Sequence, residues 1–273
     1  MPEGDTIFRA ARTLHAALAG RVVTAFETAL ATLDRVNQDR PLTGRTVESV
    51  RSAGKHLLMR FSGDLVLRTH MRMSGSWHIY RPGERWRRPR FAMRVVVATD
   101  EYVAVGFDVP VAEFLEGRDL ARHRELSALG PDLLDDGFDA AAAAARVRAG
   151  RDRTVAEALL DQRAMAGIGN VFKSEALFAA GVHPLRPVSG LSDGELARVI
   201  EAARTLMRAN IPGPRSQDPS FQMRRTTRML DPAARLWVYG RTGRPCRRCG
   251  TPIESCKQGE DARGTYWCPK CQK

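Results

Sequence analysis

The chain has 273 residues and a formal net charge of +12, and 43% of its residues are hydrophobic. This length and composition exclude an intrinsically disordered chain and allow about two domains with their own cores. The excess of positive charge favours a polyanionic partner, most often nucleic acid, over a role in solubility alone. Because no apolar run reaches the roughly 18 residues of a transmembrane helix and the N-terminus has no signal-peptide pattern, we expect a cytoplasmic protein with no membrane partner.

The chain begins with the sequence MPEGDT, in which Pro2 follows the initiator methionine. If an aminopeptidase removes Met1, Pro2 carries a secondary amine with a pKa of roughly 7.7–8.0, and a useful fraction is unprotonated at neutral pH. Such an amine can condense with an aldehyde-level carbon to give an iminium ion, and the neighbouring Glu3 is placed to transfer protons there. Taken alone, these residues are equally compatible with an ordinary terminus that has no chemical role.

Residues 3–19 are predicted to form a helix, because apolar residues from Ile7 to Leu18 recur at helical spacing and Gly20 ends the run. Short runs of alternating apolar and polar residues then fill residues 20–110, which is typical of a β-sandwich or barrel. The predicted strands cover residues 21–26, 46–50, 56–61, 64–69, 76–80, 92–97 and 102–105. The composition changes near residue 128, where we place the first domain boundary.

Downstream of that boundary the pattern is helical. An alanine-rich segment over 140–150 is a strong helix former, and capping boxes at Thr154 and Ser192 predict two further helix starts. Three prolines followed by a basic run predict a mobile basic loop over residues 210–231. We predict three domains, at residues 1–128, 129–234 and 235–273.

Four of the five cysteines form two CxxC pairs near the C-terminus, namely Cys246 with Cys249 and Cys268 with Cys271. Four thiolates at this spacing give a closed tetrahedral site for one structural zinc ion, with no open position for catalysis. Disulfides are disfavoured in the cytoplasm. We expect Cys256 to be a small packing residue in a β-hairpin between the pairs, and Arg263 to lie at the hairpin tip, within reach of a phosphate.

Residues 165–170, with the sequence MAGIGN, lie between predicted helices at 154–165 and 171–180. Two glycines allow a tight turn with exposed backbone amides, and Asn170 is placed to cap the second helix. Such a turn can hold a phosphate on its N–H groups and on the helix dipole. A capped turn without a ligand is the alternative, but the net charge and the zinc motif favour phosphate binding.

Two other stretches have no role that the residues alone establish. Lys55 stands at the mouth of a predicted strand, where a lysine is usually just exposed. Residues 70–76, HMRMSGS, place methionines in a Gly/Ser turn. Methionines there can wedge into a base stack when a nucleotide is extruded, or they can pack in the core.

Taken together, these motifs resemble the formamidopyrimidine-DNA glycosylase/endonuclease VIII family of bifunctional base-excision repair enzymes. The resemblance covers nearly the whole chain, in order: MPEGDT, Gly54–His56, His70–Ser76, Gly167–Asn170, and Arg263 before the last CxxC pair. It implies an α+β multidomain protein with an N-terminal β-sandwich and N-terminal helix, a C-terminal helix-two-turn-helix domain and a zinc ribbon. It also implies a nucleoid-associated monomer that binds damaged DNA and one structural Zn²⁺.

The resemblance implies chemical roles for three residues of the first domain. Pro2 would be the nucleophile at C1′ of the damaged nucleotide, and Glu3 the general acid/base that helps open the sugar. Lys55 would contact a phosphate beside the lesion and assist catalysis. After base loss the iminium ion would acidify the C2′ protons, and β,δ-elimination would cut the strand.

The remaining matched residues would bind DNA. Asn170 and Arg263 would clamp the phosphates that flank the flipped nucleotide, and Met73 would fill the hole left in the base stack. Glu175 matches a helix position of the family motif, and we expect it to have a structural role. Residues 215–231 are in a position to cover the flipped base but resemble nothing that indicates a substrate.

One departure from the family pattern bears on the substrate. The formamidopyrimidine branch has an Arg-x-Phe on a late sandwich strand, whereas residues 105–110 here read VGFDVP, with no such arginine. This favours an endonuclease VIII-like enzyme that removes oxidised bases, in particular pyrimidines. The alternatives are a formamidopyrimidine/8-oxoguanine-type purine glycosylase, a catalytically inactive DNA-binding protein of the same fold, and a zinc-ribbon RNA-binding protein. The last two do not explain why both Pro2 and Glu3 are present.

Overall fold

The structure is a computed structural model that describes residues 2–212, 224–259 and 261–273. The chain divides into two compact units, Met1–Ser127 and Ala128–Lys273. A further division of the second unit at residue 234 stays a prediction. Within the described residues, no helix has the length and apolar character needed to cross a membrane.

The first unit opens with helix α1, Gly4–Leu18, close to the predicted bounds. A second helix, α2 (Ala31–Asp39), was not predicted, because Leu33 is its one buried residue and it has no long apolar face. A single turn, α3 (Arg124–Ser127), closes the unit.

Two four-stranded antiparallel sheets make up most of this unit, with strand orders β1-β6-β7-β5 and β2-β3-β4-β8. The strands are β1 Ala25–Thr28, β2 Val47–Ala53, β3 His56–Phe61, β4 Leu65–His70, β5 Ser76–Tyr80, β6 Met93–Ala98, β7 Val103–Phe107 and β8 Val111–Glu116. The first strand begins at Ala25 rather than at residue 21. Strand β8 was not predicted, because its six residues are all half-buried and show no alternation.

One hydrophobic core joins helix α1 to both sheets, which confirms the β-sandwich. Its members include Ile7 and Leu14 of α1, Leu57 of β3, and Val95 and Val97 of β6. Residues two positions apart in a strand point to the same face, so Val95 and Val97 enter this core together. The buried face of α1 therefore fixes the start of the chain on the sandwich.

Four helices form the first part of the second unit: α4 Ala140–Ala149, α5 Val155–Leu160, α6 Asn170–Ala180 and α7 Asp193–Ala209. The capping boxes at Thr154 and Ser192 are both present. Helix α5 ends at Leu160, earlier than predicted, because the Asp161 carboxylate accepts a hydrogen bond of 3.0 Å from the Arg163 amide in a turn. Helix α6 packs against α5 and α7.

The predicted hairpin near the C-terminus is formed by β9 (Glu254–Gln258) and β10 (Arg263–Trp267), in which Cys256 lies opposite Thr265. The prediction that Arg263 lies at the tip of the hairpin was wrong. Arg263 is the first residue of β10 and is paired with Gln258. The turn begins at Gly259, which has φ 68°, a left-handed conformation that glycine adopts without strain. Strand β10 also packs against helix α6.

Candidate functional site

Pro2 and Glu3 lie at the start of helix α1. Glu3 is the N-cap residue, and its carbonyl oxygen accepts hydrogen bonds from the amides of Thr6 at 2.9 Å and Ile7 at 3.1 Å. The Glu3 side chain is fully buried, and Pro2 is half-buried. Since the core holds the helix that follows, these two residues have a fixed backbone position, unlike an ordinary terminus.

Lys55 lies in the tight turn between β2 and β3, closed by the pair Ala53–His56. Gly54 has φ 57°, so the turn needs a left-handed residue directly before Lys55. Helix α1 packs on both strands of this hairpin. Helix α1, which starts directly after Pro2 and Glu3, therefore packs against the hairpin that carries Lys55.

The loop of residues 70–76 presents Met73, which is 69% exposed, and buries Met71, which is 2% exposed. The sequence left open whether the methionines of this turn wedge into a base stack or pack in the core, and the structure places Met71 in the core. A Cβ atom at Gly75 would lie 2.6 Å from the Met71 carbonyl oxygen, so the tight turn requires glycine there. The Nδ1 atom of His70 accepts a hydrogen bond of 3.0 Å from the Arg72 amide.

His56 of strand β3 and His70 at the start of this loop are neutral at pH 7, because their pKa values are lowered. Burial and the Arg68 charge lower the pKa of His56 to about 3. Burial, followed by the charges of Arg72 and Lys55, lowers the pKa of His70 to about 4. Because a neutral ring nitrogen can accept a hydrogen bond, this state preserves the contact from Arg72 to His70.

Arg68 is a buried residue that the sequence analysis did not single out. Its side chain is 3% exposed and pairs with Glu113 and Glu125, and its guanidinium lies 3.0 Å from the His56 ring. The available signal was an arginine within an otherwise apolar strand, LVLRTH. A buried arginine needs such partners because an unpaired charge in the interior is strongly unfavourable.

Asn170 is the first residue of helix α6, and the prediction that it caps this helix was wrong. Gly169, which has no side chain, is the N-cap residue. The Asn170 side chain instead donates a hydrogen bond of 2.9 Å to the carbonyl oxygen of Gly264 in strand β10. Gly167 has φ 97°, so the glycine-rich turn does take the backbone conformation that its composition predicts.

Glu175, one turn farther along α6, is fully buried and acts as a structural anchor. Its carboxylate accepts hydrogen bonds of 2.8, 2.9 and 2.8 Å from the amides of Trp237, Val238 and Tyr239, and another from the Thr226 hydroxyl. These contacts fix residues 226–239 on the helix.

Of the predicted mobile loop at 210–231, positions 213–223 lie outside the described residues, whereas Thr226 is buried.

Arg263 is paired with Asp261 at 2.7 Å, and both side chains are partly exposed. A cavity of about 580 Å³ beside the hairpin is lined by Arg263 together with Arg153, Arg163 and Gln258. Asp161 and Glu157 also line it, so the arginines there are partly neutralised. The Asp261 carboxylate therefore competes with an anion for the Arg263 guanidinium.

The four cysteines of the two CxxC pairs converge, and their sulfur atoms all lie within 4.8 Å of one another. The Cys249–Cys268 and Cys246–Cys271 sulfur distances are 3.5 and 4.0 Å, close to the ~3.8 Å that tetrahedral Zn–S bonds of ≈2.3 Å require. Burial and the neighbouring thiols raise the pKa of Cys271 to about 12, so a four-thiolate set needs a cation. The donor set thus fits one structural Zn²⁺, and Cys256 is outside it.

Three family models match consecutive parts of this chain. They are the formamidopyrimidine-DNA glycosylase N-terminal domain at residues 1–110, its H2TH domain at 129–218, and the zinc finger found in FPG and IleRS at 243–273. A probable endonuclease 8 2 of Streptomyces coelicolor is 45% identical over 275 residues, which cover 100% of this chain and 94% of that protein. The chain belongs to the formamidopyrimidine-DNA glycosylase/endonuclease VIII family.

Other members of the family extend the comparison. The DNA-(apurinic or apyrimidinic site) lyase Nei2 of Mycolicibacterium smegmatis is 40% identical over 273 residues, covering 100% of this chain and 99% of the relative. The crystal structure of the Lactococcus lactis formamidopyrimidine-DNA glycosylase, bound to DNA containing an AP site, matches with a TM-score of 0.82 and 22% identity. It covers 99% of each chain and shows the same fold.

Residues 105–110, where the sequence predicts a departure from the formamidopyrimidine pattern, lie at the end of β7 and in the turn after it. Phe107 is fully buried and packs with Tyr80 and Met93 in a small second core. Asp108 has φ 48° and pairs with Arg88. The turn after β7 therefore presents an acidic residue that is paired with Arg88.

Proposed function

We propose that this protein is a bifunctional DNA glycosylase/AP lyase that excises oxidised bases, in particular pyrimidines, through an iminium ion on Pro2. The observation that carries the proposal is the Pro2–Glu3 pair at the start of α1, with the Glu3 side chain fully buried. A disordered terminus would not hold a carboxylate in the interior beside a potential amine. The similarity to endonuclease 8 2 and to the DNA-(apurinic or apyrimidinic site) lyase Nei2 supports the same reaction class.

In the proposed reaction, removal of Met1 exposes the Pro2 nitrogen, which attacks C1′ of the damaged nucleotide. The base leaves with the electron pair of the glycosidic bond, and Glu3 transfers the proton that opens the sugar ring. The resulting iminium ion acidifies the C2′ protons. Loss of a C2′ proton expels the 3′ phosphate, and a second elimination expels the 5′ phosphate.

Four residues are proposed to hold the DNA. The Asn170 side chain of helix α6 is hydrogen-bonded to strand β10, which begins with Arg263. Both side chains have N–H donors of the kind that position a phosphate. Lys55 supplies a cation on the first unit, and the 69% exposed Met73 supplies an apolar wedge for the stack. The net charge of +12 supports a DNA partner as a whole. We propose that the protein acts as a monomer associated with the nucleoid.

The turn after β7 supports the preference for pyrimidines. In the formamidopyrimidine branch an arginine and a phenylalanine from this region complete the void-filling set, whereas here Phe107 is in the core and Asp108 is paired with Arg88. Met73 remains as the exposed apolar residue of its loop. A purine-type glycosylase is the second candidate, because formamidopyrimidine-DNA glycosylases such as that of Methylococcus capsulatus are 35% identical over 240 residues.

The test is borohydride trapping on an oligonucleotide that contains an abasic site or 5-hydroxyuracil, after mass analysis has confirmed the loss of Met1. We expect a covalent protein–DNA product with the wild-type protein. Pro2→Gln should abolish it, since a large second residue retains Met1 and leaves no amine at position 2. Glu3→Gln should bind a tetrahydrofuran-containing duplex as the wild type does but release no base. A Pro2→Gln protein with full excision activity would refute the nucleophile, and an 8-oxoguanine preference would favour the purine alternative.

A further inference from the structure

Lys173 is a buried cation for which neither the family motifs nor the proposed chemistry provides a role. It lies three residues after Asn170 on helix α6, so the two side chains share one face of the helix. Lys173 is 1% exposed. Lysine is almost never buried to this extent unless its ammonium group is well hydrogen-bonded, because an ion loses its hydration in the interior.

Three contacts of the Lys173 ammonium with described residues concern the same junction. It donates to the Asn170 side-chain oxygen at 2.7 Å and to the Thr265 hydroxyl at 2.8 Å, and it lies 3.5 Å from the Gly264 carbonyl oxygen. Asn170 itself donates to that same carbonyl at 2.9 Å. The lysine therefore stands between the start of helix α6 and strand β10, which begins with Arg263.

These contacts determine which way the Asn170 amide faces. An asparagine side chain has one accepting oxygen and an NH₂ group with two donors, and its two ends can exchange by rotation. Since an ammonium group can only donate, it requires the Asn170 oxygen to face it and prevents the flipped rotamer. The NH₂ group is then directed away from Lys173, with one N–H on Gly264 and a second N–H to offer to an incoming acceptor.

We propose that Lys173 is a positioning residue that locks the Asn170 amide in its donor orientation toward a DNA phosphate. It also ties the strand that carries Arg263 to the same helix, so that both phosphate-binding side chains are set in place before DNA arrives. Pre-organised donors bind more tightly because no rotamer has to be ordered on binding. This inference rests on the proposed function, since it assigns the phosphate as the ligand of Asn170.

The test measures the affinity of the zinc-loaded, full-length protein for a duplex with a tetrahydrofuran abasic analogue, by fluorescence anisotropy. Lys173→Met keeps the length of the side chain and removes the donors. We expect it to weaken binding by roughly 10- to 100-fold, the range for losing a hydrogen bond to a charged group. Lys173→Arg retains a cationic donor and should restore part of the loss. Zinc content and the excision rate at saturating DNA should stay near wild type in both variants.

A double-mutant cycle with Asn170→Ala separates positioning from a merely structural role. If Lys173 acts through Asn170, adding Asn170→Ala to Lys173→Met should cost little more than either change alone. Additive losses, or wild-type affinity in Lys173→Met, would overturn the proposal, and so would zinc loss that accounts for the whole effect. Failure of the proposed function is a different result, since the wild-type protein would then give no borohydride-trapped product.

Discussion

The side-chain amide of Asn170 donates a hydrogen bond of 2.9 Å to the carbonyl oxygen of Gly264, a residue 94 positions farther along the chain. The donor belongs to the glycine-rich turn at the start of helix α6, and the acceptor belongs to the hairpin whose strand β10 runs into Cys268. Integrity of the zinc site and placement of the proposed phosphate donor are therefore coupled.

This coupling predicts that loss of zinc weakens DNA binding even when every proposed DNA-binding residue is unchanged. We expect Cys268→Ala to lose the ion and to weaken binding to an abasic-analogue duplex by at least tenfold, because structural zinc supplies the folding free energy of such a module. The matched control is Cys256→Ser, which changes a cysteine of the same hairpin outside the metal cluster. Zinc content by atomic absorption and affinity by anisotropy give the answer. Normal affinity in a zinc-free protein would contradict the coupling.

The ion pair between Arg263 and Asp261 predicts that the acidic residue restrains DNA binding. Both side chains are partly exposed, so the pair itself stabilises the fold little. A phosphate nevertheless competes with Asp261 for the Arg263 guanidinium. Asp261→Asn should therefore tighten DNA binding by about two- to fivefold at low salt, and the gain should shrink as salt screens the charge.

Asp136→Asn is the matched control, because Asp136 is an exposed residue paired with Arg208 and its substitution makes the same change in net charge. An equal gain in both variants would show a general charge effect and would exclude a specific restraint by Asp261. Arg263→Ala should have the opposite effect on affinity and should reduce the slope of log K against log salt by about 1.

The sequence predicted the parts of this molecule that depend on local signals. Strand β3 and the capping box at Thr154 were predicted correctly, because periodicity and capping depend on residues that are close in sequence. The partner of Asn170 was not found, and neither was the buried position of Arg68. Their contacts cross 94 and 57 positions respectively, and no pattern within one element encodes such a partner.

A small chemical change at the buried Glu175 should greatly lower the free energy of unfolding. Its two carboxylate oxygens accept from three consecutive backbone amides and one hydroxyl in a fully buried site. Glu175→Gln replaces one acceptor oxygen by an NH₂ group that faces donors. We expect the free energy of unfolding to fall by about 2–4 kcal/mol, because buried donors are left without acceptors.

Urea unfolding of the zinc-loaded protein measures this loss. Glu201→Gln, an exposed change of the same type on helix α7, should alter the free energy of unfolding by no more than about 0.5 kcal/mol. Equal stability of the two variants would mean that the segment at 226–239 is held by other contacts.

The lowered pKa values of His56 and His70 predict that the protein loses stability in acid. The folded-state pKa of His56 is about 3, below the ordinary value of 6.5, so the unfolded chain binds the extra proton between these values. Stability from this group is therefore complete above pH 6.5 and declines as the pH falls toward 3. For His56 alone the decline from pH 7 to pH 5 amounts to about 2 kcal/mol.

Comparison of wild type with His56→Gln isolates this contribution, because all other titratable groups are the same in both proteins. Urea unfolding at pH 7 and pH 5, with zinc present, should show a smaller loss of stability in the variant by about 2 kcal/mol. The same loss in both proteins would mean that His56 does not remain neutral in the folded state. Since His70 has the same direction of shift and accepts from the Arg72 amide, its protonation below about pH 4 should also release the loop that presents Met73.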